Sequence, residues 1–316
     1  MGEHAIATSS QAMDYMADYP GFGEMRSFTD ALGAEQLAFT WRSMPPGTGG
    51  KGSYGHRHRT QEEVYFVIRG NLAFKVGDEV FGGQSGAFAE YVRVAEHGAV
   101  VHKPANVTME QAAAVPIAGV TALQALRDHG RLQPGQNVLI NGASGGVGTF
   151  AVQIARALGG EVTAVCSTSH VETVRAIGAQ HVVDYTREDF TRLGQHFDLL
   201  LDIAGSRSFA ECARVLAPNA TFVAVGSATH MQSGAWKVLQ HLAAVRFGSL
   251  RSKRRVVIFV ARMTRSDLLV LQDLMASGKV TPIIDKRYPL SDVRAAFAYL
   301  GQGHAAGKVV LDIPGA

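Results

Sequence analysis

Cysteine is nearly absent: 316 residues hold only Cys166 and Cys212. Two thiols cannot build a disulfide framework or a four-thiolate zinc site. Charge is also sparse, at 18% of residues with a formal net charge of +3. So mild a balance gives no basic face, and no nucleic-acid partner is expected. No stretch reaches 18 uncharged apolar residues, so no transmembrane helix and no membrane partner are expected. The opening MGEHAIATSSQAMDYMADYP carries acids early and lacks an apolar centre, which argues against a signal peptide. A soluble cytoplasmic protein is the expectation. Hydrophobic residues make up 47%, too many for wholesale disorder.

Glycine is plentiful, with 35 residues against roughly 22 for a usual share of ~7%. With no Gly-every-third register, that excess belongs at turns or at a phosphate-binding loop. The chain has room for two domains. Residues 1–43 are polar and weakly patterned. MPPGTGGKGSYGHRH (44–58) reads as a loop, and EEVYFVIRG and NLAFKVGD read as two strands around Gly70-Asn71.

From about residue 76 strands and helices alternate. NVLING (137–142), EVTAVCS (161–167), HVVDY (181–185), DLLLDIAG (198–205), TFVAVG (221–226) and VVIFVAR (256–262) read as strands. Their nearly continuous apolar character suits a parallel sheet covered on both faces. GTFAVQIARALG (148–159), HVETVRAIGA (170–179) and SFAECARVLA (208–217) read as the connecting helices. The expected fold class is α/β: a doubly wound Rossmann sheet beside a smaller, mainly β N-terminal region.

Between the first of these strands and the first helix lies Asn141-Gly142-Ala143-Ser144-Gly145-Gly146-Val147-Gly148. Glycines let the backbone turn tightly and approach a pyrophosphate, and a helix N-terminus supplies free N–H groups. A glycine motif alone is weak. This one follows a strand, opens a helix and sits in a βαβ unit, which makes it a dinucleotide site. NAD would call for Asp or Glu at the end of the second strand, to hold the ribose 2′-OH. That strand ends Cys166-Ser167-Thr168-Ser169-His170, with no acid. Small hydroxyls such as Ser167 leave room for a 2′-phosphate and can donate to it, His170 can add charge and Tyr185 ends the next strand nearby, so NADP(H) is the expected cofactor. Ser167 and Ser169 can also serve as helix N-caps.

VGDEVFG (76–82), GAFAEYV (86–92), AAAVPIAGVTALQAL (112–126), LQPGQNVLINGASGGVG (132–148), IGAQHVVDY (177–185), FDLLLDIAG (197–205) and GKVTPIIDKRYPLSDVRAAFAYL (278–300) together resemble the medium-chain dehydrogenase/reductase superfamily, in its zinc-free, quinone-oxidoreductase-like branch. The resemblance covers residues 76–316. It implies NADP(H)-linked hydride transfer to a small quinone, enone or related carbonyl compound. It also implies a Rossmann domain over 116–265, with a truncated GroES-like catalytic domain in 76–115 and 266–316. Cofactor contacts implied at matching positions are Thr121, Asn141, Ser144, Gly145, Gly146, Val147, Gly148, Ala204, Val225, Gly226, Ser227 and Lys308, besides Ser167, His170 and Tyr185. Two departures stand out. The family's usual Lys or Arg at the 2′-phosphate is His170 here, and its Arg before Gly-Lys is Ala306.

Residues 50–70 resemble something else. Gly50, His56, His58, Glu63 and Gly70 have the spacing of the first cupin motif. That resemblance implies a divalent metal on His56, His58 and Glu63, although the second motif, with its further His, does not follow. On this reading 1–75 is a partial cupin-like β segment. The weaker alternative reads HRHR as a solvated basic stretch. Arg246, Arg251, Lys253, Arg254, Arg255, Arg262 and Arg265 form a further basic run, read as a solvated helix end and loop.

The leading expectation is an NADPH-dependent, zinc-independent oxidoreductase with no identifiable catalytic acid or nucleophile. Two rivals remain at this stage. One is an NADP(H)-binding module with little turnover, and the other a cupin-type metal protein fused to a nucleotide-binding domain. A homodimer is open to any of the three.

Overall fold

The structure is a computed structural model that describes residues 79–83, 88, 94, 98–225, 245, 252–303 and 305–313, with the backbone alone at 13–14, 24–27 and 40–43. His56, His58, Glu63, Gly226 and Ser227 lie outside the described residues, as do Gly70 and Asn71 of the expected hairpin. The chain divides into two compact units, Met1–Lys75 and Val76–Ala316.

In the first unit β1 (Met13–Asp14), β2 (Glu24–Ser27) and β3 (Thr40–Ser43) form an antiparallel sheet in that order. These residues have no apolar alternation strong enough to announce strands.

The second unit opens with an antiparallel pair, β4 (Val80–Gly82) and β5 (Val100–His102). Then α1 (Met109–Ala114) starts from a capping box, in which Thr108 accepts from the Gln111 amide and the Gln111 side chain accepts from the Thr108 amide. α2 (Pro116–Leu123) has Pro at its first position and runs into a π-helical turn, Gln124–His129.

The sheet follows. Its strands are β6 (Asn137–Asn141), β7 (Glu161–Cys166), β8 (His181–Asp184), β9 (Phe197–Asp202), β10 (Leu216–Val225) and β11 (Arg255–Phe259). All pair in parallel, in the order β11-β10-β9-β6-β7-β8. Numbered from β6, that is the 3-2-1-4-5-6 order of a dinucleotide-binding sheet. The order reverses between β6 and β9, and in such sheets ligands bind at that point, beyond the carboxyl ends of the strands.

Both faces are covered over the central strands β6, β7 and β9, which bury successive residues in opposite cores. Val138 and Ile140 belong to one buried cluster, with Phe150, Val152 and Ile154 of α3 (Gly146–Ala157). Leu139 belongs to the other, with Phe190, Phe197 and Phe222. Truncating Leu139 to Ala would cost about 2–5 kcal/mol, the transfer of the side chain plus the cavity left behind.

The helices are shorter than the sequence suggests. α4 covers Val171–Ala176, and the expected helix over 208–217 is only α5 (Phe209–Cys212) followed by a 3-10 turn, Ala213–Val215. Leu216, expected to be helical, instead pairs with Phe197 as the first residue of β10.

After the sheet, α6 (Arg265–Ala276) sends Leu268, Leu271 and Met275 into the core shared by α2 and α3. Asp267, 4% exposed, anchors α6: it accepts from Gln124 at 2.7 Å, Arg127 at 2.6 Å and Thr264 at 2.7 Å. β12 (Ile284–Pro289) and β13 (Lys308–Asp312) pair in parallel, joined through α7 (Val293–Leu300).

Three described arginines of the basic run are engaged with backbone carbonyls. Arg254 donates to the carbonyls of Ala217 and Leu216, Arg255 to that of His129 and Arg265 to that of Val100. Those guanidiniums tie chain segments together. Arg246 and Arg251 lie outside the described residues.

Candidate functional site

The glycine loop sits at the carboxyl end of β6. Gly142 has φ +91, a conformation that favours glycine. Its amide and that of Ala143 donate to Val165 O at 3.2 and 3.0 Å, which fastens the loop to the end of β7. Gly145 then caps α3 in extended conformation.

The loop's other glycines do different work. A Cβ on Gly148 would lie 2.1 Å from Gly142 O and 2.7 Å from Ala143 Cα, so Gly148 lets the helix close on the strand. A Cβ on Gly145 would meet only Gly142 O, at 3.7 Å. That glycine faces open space, which leaves room for a group to lie against its backbone. Ser144, Gly145, Gly146 and Val147 are all partly exposed there. The amides opening α3 have no carbonyl a turn earlier to bind, so they point at the same space with the positive end of the helix dipole.

Lys308 reaches this point from β13. Its Cδ lies 3.0 Å and its Nζ 3.8 Å from where a Gly146 Cβ would be. No carboxylate pairs with Lys308 among the described residues, and burial holds its ammonium below the ordinary value of 10.5. A cation beside a helix N-terminus, with no counter-ion, is arranged to receive an anion. The turn that brings it there is fixed: Lys308 N donates to Ile283 O at 2.8 Å, and Asp285 accepts from Ala306 N at 3.0 Å and Tyr299 Oη at 2.6 Å.

Behind the loop, Asn141 Nδ2 donates to Asp202 Oδ1 at 2.8 Å and to Ser206 Oγ at 3.2 Å. The same Asp202 oxygen accepts from Gly205 N at 2.9 Å, while Ile203 N and Ala204 N donate to Asn141 O. The walls of the crevice are thereby locked together. Sequence reasoning missed Asp202; the available signal was an acid ending the apolar run FDLLLD.

At the end of β7 the register sets Cys166 opposite Asp184, and Tyr185 N donates to Cys166 O at 3.0 Å. Ser167 and Tyr185 therefore continue side by side. Ser167 makes no side-chain cap; its hydroxyl meets that of Ser169 at 3.1 Å. Thr168 donates to Asp184 at 2.5 Å, which with Thr186 keeps Asp184 below the usual carboxylate range. His170 closes the short 3-10 turn. Asp184 is thus an acid beside the expected 2′-phosphate region that the reading of β7 alone did not see.

Thr121 is buried in α2, and its hydroxyl donates back to Ile117 O at 2.7 Å. Val225 ends β10, half-buried.

The described residues do not fit zinc. They contain no group of three or more His, Cys, Asp or Glu placed to share an ion. Burial pushes the Cys166 thiol up to about 11 and raises that of Cys212 as well, opposite to what a metal thiolate needs. They do fit a dinucleotide: an open glycine backbone, a helix N-terminus, an uncompensated lysine and a hydroxyl-lined second-strand turn.

Fold and loop together define a Rossmann dinucleotide-binding protein. Residues 177–311 match the family model described as zinc-binding dehydrogenase. The chain is 34% identical to the chloroplastic quinone-oxidoreductase QR1 of Triphysaria versicolor, covering 93% of this chain and 91% of that protein. It is 35% identical to the mitochondrial NAD(P)H oxidoreductase RTN4IP1 of Mus musculus, covering 76% of this chain and 65% of that one. Among solved structures, a quinone oxidoreductase of Pseudomonas syringae pv. Tomato DC3000 superposes with a TM-score of 0.61 at 27% identity, covering 76% of each chain. The chain belongs to the quinone-oxidoreductase-like family of zinc-binding dehydrogenases. It spans about two thirds of the length of the mitochondrial relatives it matches. In the Triphysaria match, 93% of 316 residues is about 294, more than the second unit holds, so that match runs into Met1–Lys75.

Proposed function

We propose that this protein is an NADPH-dependent oxidoreductase that reduces quinones, enones or related carbonyl compounds without zinc. The observation that carries the reading is the open backbone at Gly145 together with Lys308 lying against Gly146 at the N-terminus of α3. Family membership supports a nicotinamide cofactor, and relatives named for quinones support that substrate class.

A bound dihydronicotinamide supplies the hydride, so the chain needs no nucleophile of its own. The amides of Gly146, Val147 and Gly148 and the Lys308 ammonium hold the pyrophosphate. Ser167, His170 and Tyr185 surround the 2′-phosphate. Asn141 and Asp202 keep the crevice at fixed width, while Ala204 and Val225 line its wall. The role of the chain is to orient the cofactor and keep water from it. In this reading 76–115 and 266–316 supply the catalytic-domain remnant around the Rossmann core.

The test is NADPH oxidation followed at 340 nm with a quinone, before and after dialysis against a chelator. Equal rates before and after support the proposal. A rate lost to the chelator and restored by zinc contradicts the metal-free part. Absence of oxidation with any quinone or enone contradicts the activity.

A further inference from the structure

We propose that Arg187 is a specificity residue for the 2′-phosphate, supplying the cation that the family usually carries where this chain has His170. The inference rests on the NADP(H) reading above. The single oxygen Asp184 Oδ2 contacts both Thr168 Oγ1, at 2.5 Å, and Arg187 Nε, at 3.5 Å. These two atoms are therefore at most 6.0 Å apart, the sum of the two distances. Thr168 lies between Ser167 and Ser169, so the guanidinium stands at the rim of the turn that closes the expected 2′ pocket.

The local backbone keeps it there. Arg187 N and Glu188 N both donate to Asp184 O at 3.0 Å, and Thr186 N donates to Asp184 Oδ1 at 3.0 Å. Arg187 thus leaves a rigid turn directly after Tyr185. Its side chain is 76% exposed, and its Nε lies 3.5 Å from Asp184 Oδ2. Such an exposed pair is worth little, and a phosphate dianion can take the guanidinium from it.

Asp184 has a second role as a positioning group. By accepting from Thr168 it fixes that hydroxyl beside those of Ser167 and Ser169, which lie 3.1 Å apart. These two hydroxyls can donate to phosphate oxygens, and the Arg187 fork can bind two more.

The experiment uses the full chain and two probes, adenosine 2′,5′-bisphosphate and 5′-AMP, titrated by calorimetry. Arg187→Gln should weaken the bisphosphate about tenfold, the low end for a hydrogen bond to a charged group, and leave 5′-AMP unchanged. Arg192→Gln, an exposed arginine on the next turn, should change neither. Unchanged bisphosphate affinity in Arg187→Gln overturns the proposal, and so does an equal loss for both probes. If the wild-type chain binds neither probe, the dinucleotide reading itself fails, an outcome distinct from loss of 2′ discrimination.

Discussion

Asn141 and Asp202 stand on the two strands where the sheet reverses its order, and the amide of one donates to the carboxylate of the other at 2.8 Å. Asp202 is only 1% exposed, so its carboxyl oxygens depend on such donors. Asn141→Leu should lower unfolding free energy by about 1–3 kcal/mol, the cost of leaving a buried acceptor without its donor. Urea denaturation monitored by fluorescence checks this. An unchanged midpoint and slope would mean that the bond contributes nothing.

Gly148 and Gly145 should fail in opposite ways. Gly148→Ala places a Cβ against backbone at 2.1 Å, so it should lower the melting temperature by several degrees or prevent folding, in line with an overpacking cost of about 1–3 kcal/mol or more. Gly145→Val adds bulk only into open space. Its melting temperature should stay near wild type while dinucleotide affinity falls. A stable Gly148→Ala protein would show that the α3–β6 approach is looser than described.

Lys308 predicts a pH dependence with a definite sign. Burial holds its ammonium below the ordinary value of 10.5, and only the charged form attracts phosphate. NADPH affinity should be level at neutral pH and fall as pH rises through that lowered value. Binding should be accompanied by proton uptake in the same window, because the bound anion favours the charged form. Without ligand, the unfolded chain holds this proton more tightly, so this group adds stability as pH rises between the two values. Lys308→Met should weaken NADPH and flatten the profile. A Lys308→Met profile that still falls in the wild-type window would assign the titration to another group.

Tyr299 tests the support behind Lys308. Asp285 accepts from Tyr299 at 2.6 Å and from the Ala306 amide at 3.0 Å, two residues before Lys308. The Asp285 carboxylate pushes the phenol up to about 12, so the hydroxyl stays a donor throughout the neutral range. Tyr299→Phe should raise the KM for NADPH more than it lowers kcat. A kcat loss with unchanged KM would place Tyr299 in the chemistry instead.

The central strands of the sheet were legible because a strand buried on both faces reads as an unbroken apolar run. Where a run serves two periods, legibility ends: 208–217 suits a helix, yet Leu216 is claimed by Phe197 across the sheet. β1 to β3 were invisible because 1–43 carries no clear alternation. The phosphate loop is local in sequence and could be read directly. Asp184 and Arg187 could not, because their importance comes from the register that sets Cys166 opposite Asp184, a relation between residues 18 apart. Lys308 was reached through family resemblance, and the structure adds its partner, Gly146. His56, His58 and Glu63 lie outside the described residues.

Fluorescence titration of the wild-type and Gly145→Val proteins with NADPH and NADH tests the central claim most directly. The account predicts saturable binding to wild type, tighter for NADPH than for NADH. It predicts loss of both in Gly145→Val, with an unchanged circular dichroism spectrum. Full affinity retained by a folded Gly145→Val protein, or no binding of either dinucleotide to wild type, would contradict it.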